Sequence, residues 1–476
     1  SPMPLSFRDT TSKTFWIVYV LFMTSPASTD LISFEALLRT AASTSFLDEL
    51  CRKHHLKVRQ GIYGLSVVIW LMIYQRLSGK RTLSSAVHFL ARQASHWQPR
   101  PEVSKRIRDG RISTRTGGYC QARLKMPTLV ASSVCDHVFE QLQARMREQL
   151  PDVPRPVFVI DGTTLQLAHE RELVRAFPPG RNQHGDNHWP TMLLVAFHDA
   201  HTGLATRPSW GAMYGRRAIS EQALAGEALR RLPADAIVVA DGNFGIFVVA
   251  YTVDQTQRPM LFRLTAARAQ KVLGGDGLRP GRRRKVEWKA SSYERKAHPD
   301  LPEGAVVKGW VVACRNPANK GELLYWFTTL DVKPARILAL YKLRWNIETD
   351  LRSLKRTVDL HRVTSKSRDM VEKEVLMAVC AYNTVRAVMY LSASGAGIRP
   401  RQLSFSAAQD AVIAAWPYLQ RAHTAAEFHE EVQRLLGVVA QTKLPNRPRR
   451  RSYSREIWGR GGHFPFRPSG SKEVRS

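Results

Sequence analysis

The residues of this chain best suited to chemistry lie in one short segment that begins at Tyr341. An arginine, a glutamate and a lysine follow it as Arg344, Glu348 and Lys355. Because a helix advances about 100° per residue, this spacing predicts that the four side chains lie within roughly 60° of one another. One carboxylate among two cations and a phenol could hold a metal ion against a phosphodiester. A solvated helix face carries similar spacings, so the segment alone leaves both interpretations open.

Apolar residues within the same segment are spaced so that they could hold the predicted helix against a core. Leu343, Ile347 and Leu354 fall on the opposite side of the predicted helix, which indicates a stripe that faces the core. The polar face would therefore be directed away from the core that holds the helix in place.

Two other segments are runs of strand-forming residues that end in Asp-Gly. Residues 157–160 lead to Asp161, and residues 237–240 lead to Asp241. Open α/β sheets place their sites at the carboxyl ends of strands, so we expect both aspartates at the rim of a sheet. Taken singly, an Asp-Gly pair more commonly just makes a turn. Together with Glu348, however, the two aspartates could bind two Mg²⁺ ions, which prefer oxygen ligands.

These segments give the sequence a family resemblance. It resembles the DDE transposases of the bacterial insertion-sequence-four type, which have an RNase H-like catalytic core. The resemblance rests on Val-Phe-Val-Ile-Asp-Gly at 157–162, Val-Val-Ala-Asp-Gly-Asn-Phe-Gly at 238–245, and Tyr-x2-Arg-x3-Glu-x6-Lys at 341–355. The last motif sets four residue types at defined spacing and is highly specific in company with the other two.

The resemblance implies roles for individual residues. Asp161, Asp241 and Glu348 would bind two Mg²⁺ ions, for which Mn²⁺ could substitute, and would be the catalytic residues. Tyr341, Arg344 and Lys355 would contact DNA phosphates. In related transposases a tryptophan on the last strand of the insertion stacks on a flipped base. Trp326 matches that position better than Trp310, but both residues could equally be core aromatics.

The resemblance also implies the fold class. We expect an α/β protein with an RNase H-like mixed sheet and flanking helices, interrupted by a β-rich insertion subdomain and preceded by a helical DNA-binding domain. The expected divisions are an N-terminal extension at 1–28, a helical DNA-end-binding domain at 29–125, core at 126–258, insertion at 259–330, core with C-terminal helices at 331–440, and a basic tail at 441–476. Strand-like stretches after residue 285 support the insertion.

Composition agrees with a nucleic-acid partner. Lysine and arginine number 71 against 40 aspartates and glutamates, so the net charge is +31. Such a field attracts polyanions, although a basic scaffold protein would carry the same charge. The five cysteines form no Cys-x-x-Cys pair, which suggests a reducing cytosol and argues against a zinc finger.

Two apolar runs could be mistaken for membrane or targeting segments. Residues 15–23 form a run too short for a convincing signal peptide, and we interpret it as part of an extension. Residues 62–74 are interrupted by small residues, and their length predicts a buried core helix. We therefore expect no membrane association and a cytoplasmic, nucleoid-associated protein.

The predicted function is that of a DNA transposase. It would cut an insertion sequence at its terminal inverted repeats and join it to target DNA, through a hairpin intermediate and as a homodimer at the paired ends. Two alternatives stay open: a catalytically silent, transposase-derived DNA-binding protein, and a nuclease of the same fold without strand transfer.

Overall fold

The computed structural model describes most of the chain between Thr44 and Pro445. The described residues are 44–56, 61–80, 82–93, 112–148, 155–182, 185–316, 321–361, 363–421 and 424–445. Those up to Thr442 belong to one compact unit, and a second unit begins at Lys443. The run at 15–23 and most of the basic tail lie outside the described residues.

The strands form one large sheet and one small hairpin. The strands are β1 (Val157–Gln166), β2 (Arg181–Asn182), β3 (Gly185–Asp186), β4 (Thr191–Asp199), β5 (Ser209–Ala212), β6 (Ile237–Ala240), β7 (Met260–Leu264), β8 (Arg283–Lys289), β9 (Val306–Arg315) and β10 (Leu323–Thr328). The large sheet has the order β5-β4-β1-β6-β7-β10-β9-β8, and β2 pairs with β3.

Helices lie before, between and after these strands. They are α1 (Thr44–Lys53), α2 (Leu65–Leu77), α3 (Leu83–Gln93), α4 (Gly117–Lys125), α5 (Thr128–Glu148), α6 (Arg171–Ala176), α7 (Glu221–Leu229), α8 (Phe247–Asp254), α9 (Ala266–Val272), α10 (Ser292–Ala297), α11 (Pro334–Lys342), α12 (Trp345–Arg352), α13 (Arg368–Gly395), α14 (Phe405–Arg421) and α15 (Ala425–Gln441). A π-helical turn covers Ser353–Thr357, and a 3₁₀ turn covers Pro400–Gln402.

The sheet is mixed, as the α/β prediction requires. Strand β1 pairs in parallel with β6 and antiparallel with β4, and β6 pairs in parallel with β7. The central strands read as continuous apolar runs because both faces of the sheet are covered. One face packs in the main core, and the other packs in a smaller cluster that contains Val159, Val239 and Ile347.

The predicted insertion is β-rich, but its strands continue the main sheet. Strand β10 pairs antiparallel with β7, and β9 lies between β10 and β8. Residues 260–264, which we assigned to the insertion, pair in parallel with β6. The sequence could not predict this, because the hydrophobic pattern of a strand is the same whether the strand joins a separate sheet or extends an existing one.

The N-terminal helices pack against the long C-terminal helix α13. Arg76 and Arg123 each direct a guanidinium nitrogen at the Glu374 carboxylate of that helix, at 2.5 and 2.7 Å. All three residues are buried, and removing one partner of such a group leaves an uncompensated charge. These cations therefore hold helices together rather than facing solvent.

Two described helices have the apolar character of a membrane segment. Helix α13 has the length and hydropathy of a membrane span, but all of its most apolar window is buried inside the protein. Helix α2, which corresponds to the apolar run at 62–74, is buried along most of its length. The prediction of a buried core helix there is confirmed.

Candidate active site

Asp161 and Asp241 occupy equivalent positions on neighbouring parallel strands. The last paired residues of β1 and β6 are Val159 and Val239, and each aspartate follows two residues later in the chain. Since side chains two residues apart on a strand point to the same face, Asp161 is directed to the side of the sheet that carries the smaller core cluster, and Asp241 lies close enough for its charge to act on Asp161. The register of two strands therefore brings the two predicted residues together.

One detail of the prediction is wrong. Strand β6 ends at Ala240, directly before Asp241, but β1 continues past Asp161 to Gln166. Asp161 is thus in the middle of its strand, because β4 pairs with β1 along residues 158–166 and extends it beyond the end of β6. The site lies at the end of β6, where the edge of β1 that faces β6 no longer has a strand paired with it.

The environment of Asp161 disfavours a negative charge. Burial raises the pKa of its carboxyl to about 6, and the charges of Asp241 and Glu221 act in the same direction. The Gly162 N–H, which donates to Asp161 Oδ1 at 2.8 Å, and the nearby Arg344 act in the opposite direction. A carboxyl held near other carboxylates in a partly dry site has the properties expected of a cation ligand.

The signature segment is not the single continuous helix that its spacing predicts. Helix α11 ends at Lys342, α12 begins at Trp345, and Lys355 lies in the π-helical turn. At the junction the Arg344 N–H bonds to the Tyr341 carbonyl three residues back, at 3.0 Å. A tightened turn followed by a widened one changes the angle per residue, so the predicted common face is not that of an ideal helix.

Tertiary contacts explain this irregularity. On α12 the Asn346 side chain donates to the Ala200 carbonyl at 3.1 Å. The buried Asp350 carboxylate accepts hydrogen bonds from Arg386 on α13 and from Arg401. The partner residues lie directly after β4 (Ala200), on α13 (Arg386) and in the 3₁₀ turn before α14 (Arg401). Helix propensity cannot predict such contacts, because the partners are distant in the sequence.

In the site, Glu348 is paired with a cation and not with the aspartates. Arg344 Nη2 lies 3.1 Å from Glu348 Oε1. Within the parts of the chain that the structure describes, no three His, Cys, Asp or Glu side chains lie close enough together to hold a metal ion. The charges of Asp241 and Arg344 both act on Asp161. Glu348 is connected to these residues by its ion pair with Arg344.

Tyr341 lies between this site and the smaller core cluster. Burial raises the pKa of its hydroxyl, while the neighbouring cations Arg344 and Arg263 act to lower it and Asp241 acts to raise it. Lys355 is half-buried, and burial together with Arg356 lowers the pKa of its ammonium. Both side chains are therefore partly removed from solvent.

Trp326 is placed differently from the expectation of base stacking. Its side chain is only 1% exposed, and its ring meets Tyr341 edge to face at 5.4 Å between centroids. A base cannot stack on a ring that the core covers, so the structure favours the alternative that Trp326 is a core aromatic. Trp310, the second candidate, is half-buried beneath the Arg283 guanidinium at 4.1 Å.

Sequence reasoning missed several residues that shape the Asp241 turn. Arg268 Nη1 donates to the Gly245 carbonyl at 2.6 Å, and a Cβ at Gly245 would lie 2.1 Å from the Arg263 carbonyl oxygen. Glu221 and Asn243 contact each other beside the two aspartates. A sequence signal existed for Arg263, which interrupts an apolar strand, and for Asn243, which follows Asp-Gly.

Comparison with known proteins agrees with this geometry. The model of the family described as "Transposase DDE domain" matches residues 152–384, which contain all three candidate carboxylates. The transposase InsG for insertion sequence element IS4 of Escherichia coli (strain K12) is 26% identical over 333 residues, 67% of this chain and 71% of that protein. The eight-stranded mixed sheet with flanking helices is consistent with the RNase H-like core of such domains. Both comparisons support a DDE transposase of the insertion-sequence-four type.

Proposed function

We propose that this transposase cuts double-stranded DNA at the terminal inverted repeats of its own insertion sequence and joins the freed ends to target DNA. The observation that carries the proposal is the level placement of Asp161 and Asp241 on adjacent parallel strands, beside the helix of Glu348. Two carboxylates lie close together there, and Glu348 would supply a third once it leaves Arg344, which would give the oxygen ligands that metal-assisted phosphodiester chemistry needs.

The chemistry of these donors fits Mg²⁺, or Mn²⁺ in its place. Both ions favour carboxylate oxygens, and the repulsion between Asp161 and Asp241 would be relieved by a cation between them. We propose that Asp161, Asp241 and Glu348 hold two such ions. For Glu348 this requires that its pairing with Arg344 be exchanged. When bound, the ions would make a water or a 3′-hydroxyl more acidic and neutralise charge on the leaving oxygen.

The cations around the site would hold the DNA backbone. Arg344 and Lys355 would contact phosphate oxygens, and the Tyr341 hydroxyl would donate a hydrogen bond to one. Arg263 joins this group because its positive charge acts on the Tyr341 hydroxyl. A DNA phosphate arriving at Arg344 would compete with Glu348 for the guanidinium, and Glu348 would then be free to act as a ligand. DNA binding would thereby complete the carboxylate set.

The proposed reaction has two kinds of in-line step. In the first, a water oxygen bonds to the scissile phosphorus, and the 3′ oxygen leaves and gains a proton. In the second, that 3′-hydroxyl attacks the opposite strand to give a hairpin, and after the hairpin is reopened it attacks target DNA. Asp161, Asp241 and Glu348 would serve every step, because in each one an oxygen of water or of a 3′-hydroxyl bonds to phosphorus while a 3′ oxygen leaves and gains a proton.

The partners follow from the reaction and from the charge. A net charge of +31 would attract DNA strongly at low salt and much less at high salt. We propose that the N-terminal helices bind the transposon ends, that two copies of the chain act at paired ends, and that the protein works at the cytoplasmic nucleoid. No membrane is needed for any of these steps.

The test is to incubate the purified protein with the DNA that flanks its coding sequence, with Mg²⁺ or with EDTA. Parallel reactions use Glu348→Ala and a matched control, Glu430→Gln, which changes an exposed glutamate on α15. We expect Mg²⁺-dependent nicks at paired inverted repeats, then hairpins and joined products, all lost in Glu348→Ala but kept in the control.

Other outcomes would select the alternatives. End binding with no metal-dependent cut would indicate a catalytically silent DNA-binding protein. Nicks that never lead to a hairpin or a joined product would indicate a nuclease. Equal cleavage by Glu348→Ala and the parent would remove Glu348 from the mechanism.

A further inference from the structure

Glu221 connects the two strand regions that carry Asp161 and Asp241, although it lies outside the signature segments. It is the first residue of α7, whose N-cap Ser220 Oγ accepts a hydrogen bond from the Ala223 N–H at 3.2 Å. This cap holds the first turn of the helix in place. A carboxylate on that turn also gains from the partial positive charge of the helix N-terminus.

On one side, Glu221 holds the turn that follows β6. Asn243 Nδ2 donates to Glu221 Oε2 at 2.5 Å, and the Asn243 backbone N–H donates to Asp241 Oδ1 at 2.9 Å. Gln222 Nε2 donates to the Asn243 side-chain oxygen at 2.9 Å and to its carbonyl at 3.0 Å. Asn243 is therefore held at three of its polar atoms, and its N–H orients the Asp241 carboxylate.

On the other side, Glu221 rests on the residue next to Asp161. A Cβ at Gly162 would lie 2.0 Å from Glu221 Oε1 and 2.4 Å from its carboxyl carbon. A side chain at residue 162 would therefore push the Glu221 carboxylate out of its present position. The same Gly162 donates its N–H to Asp161 Oδ1 at 2.8 Å. The position of Glu221 is thus coupled to the backbone that orients Asp161.

We propose that Glu221 is a positioning residue that sets the spacing of Asp161 and Asp241, acting through Asn243 on one strand and Gly162 on the other. The inference rests on the proposed metal-binding role of the two aspartates. What Glu221 supplies is a hydrogen-bond acceptor of the right length, so a glutamine in its place retains the function and an alanine loses it.

The experiment measures Mn²⁺ affinity of the full chain by electron paramagnetic resonance, without DNA. It compares the parent with Glu221→Ala, Glu221→Gln and a control on the same helix, Glu227→Gln, whose exposed carboxylate pairs with Arg231. We expect Glu221→Ala to weaken Mn²⁺ binding by about 10-fold or more, as the loss of a group that orients a metal ligand does. Glu221→Gln and Glu227→Gln should stay within about threefold of the parent, because the glutamine keeps the acceptor oxygen and Glu227 lies outside the network.

A second arm tests the contact with Gly162. Gly162→Ala pushes the Glu221 side chain away without removing it, and should weaken Mn²⁺ binding as Glu221→Ala does. In a chain that already carries Glu221→Ala, adding Gly162→Ala should cost little more, since both changes break one contact. Thermal melts of every variant verify that the chain is folded during the titrations.

Three results would overturn the proposal. Unchanged affinity in Glu221→Ala would show that the residue positions nothing, and equal loss in Glu221→Gln would show that its charge acts instead. If Gly162→Ala and Glu221→Ala each weakened Mn²⁺ binding and their effects added in the double variant, the two residues would not act through one contact. If the parent binds Mn²⁺ with this pattern but cuts no DNA, the proposed reaction fails while the positioning role stands; if the parent binds no Mn²⁺, the positioning role fails.

Discussion

Arg344 Nη2 lies 3.1 Å from Glu348 Oε1, so the candidate third carboxylate is paired with an arginine of its own segment. The side chains are 13% and 44% exposed, which places the pair at the edge of the site. A partly exposed pair one helical turn apart stabilises the fold by only about 0.3–0.5 kcal/mol. The pair is weak enough to be exchanged when a phosphate or a metal ion arrives.

Replacing Arg344 should therefore have opposite effects on two ligands. Arg344→Ala frees Glu348 and removes a positive charge, so we expect Mn²⁺ to bind a few-fold more tightly without DNA, while binding to DNA ends weakens. Mn²⁺ titration and an end-binding assay measure the two effects. Arg344→Lys, which keeps the charge, is the control, and tighter Mn²⁺ binding in that variant as well would argue against release of Glu348.

The buried Asp350 should be needed for stability and for activity together. It accepts hydrogen bonds from Arg386 and Arg401, whose charges outweigh burial and lower the pKa of its carboxyl. Asp350→Asn leaves a buried guanidinium without its counter-ion, and we expect a loss of roughly 3–5 kcal/mol in the free energy of unfolding. Urea denaturation measures this, with the exposed Glu430→Gln as the control, expected within about 0.5 kcal/mol of the parent.

The same variant tests whether α12 is anchored through Asp350. At temperatures where Asp350→Asn is still folded, DNA cleavage should fall further than DNA binding, because Glu348 lies two residues away on the helix that Asp350 holds. Parallel losses of cleavage and binding would point to general unfolding instead.

His198 should make the fold sensitive to mild acid. Burial lowers the pKa of its imidazole from 6.5 to about 4; Asp350 opposes this shift, and Arg386 and Arg401 add to it. The unfolded chain therefore binds more protons at this residue between those two pH values, so stability is present at pH 7 and is lost as pH falls from 6.5 towards 4. The loss from this residue should reach roughly 3 kcal/mol.

The measurement is the free energy of unfolding against pH for the parent and for His198→Asn. The variant should have a flatter profile over that range, whatever its stability at pH 7. The exposed His429→Asn is the control and should keep the parental slope. Identical slopes in His198→Asn and the parent would contradict the prediction.

Trp326→Ala should behave as a core substitution. Its ring is buried against Tyr341, so removing it should cost roughly 3–5 kcal/mol of stability and slow nicking and hairpin formation alike. Denaturation and single-turnover cleavage measure the two effects. Trp345→Ala, which truncates a ring that is 59% exposed, should change stability by less than about 0.5 kcal/mol. A selective loss of hairpin formation in Trp326→Ala would restore base stacking at that residue.

The sequence by itself determined the parts whose signal is local. Apolar runs before Asp161 and Asp241 predicted two strands, and these strands exist because continuous Val and Ile runs suit a sheet covered on both faces. The two Asp-Gly motifs together with the signature from Tyr341 to Lys355 predicted the family resemblance, which the comparisons support, and the length of the apolar run at 62–74 predicted a buried helix.

Only the tertiary structure decided how these parts meet. The level placement of the two aspartates depends on the register between β1 and β6, and the break before α12 depends on the anchors of Asn346 and Asp350. The burial of Trp326 depends on the helix that covers its strand. Such contacts join residues far apart in the chain, and no spacing within a single segment encodes them. For the same reason Glu221 was recognised only once its carboxylate was found between Gly162 and Asn243.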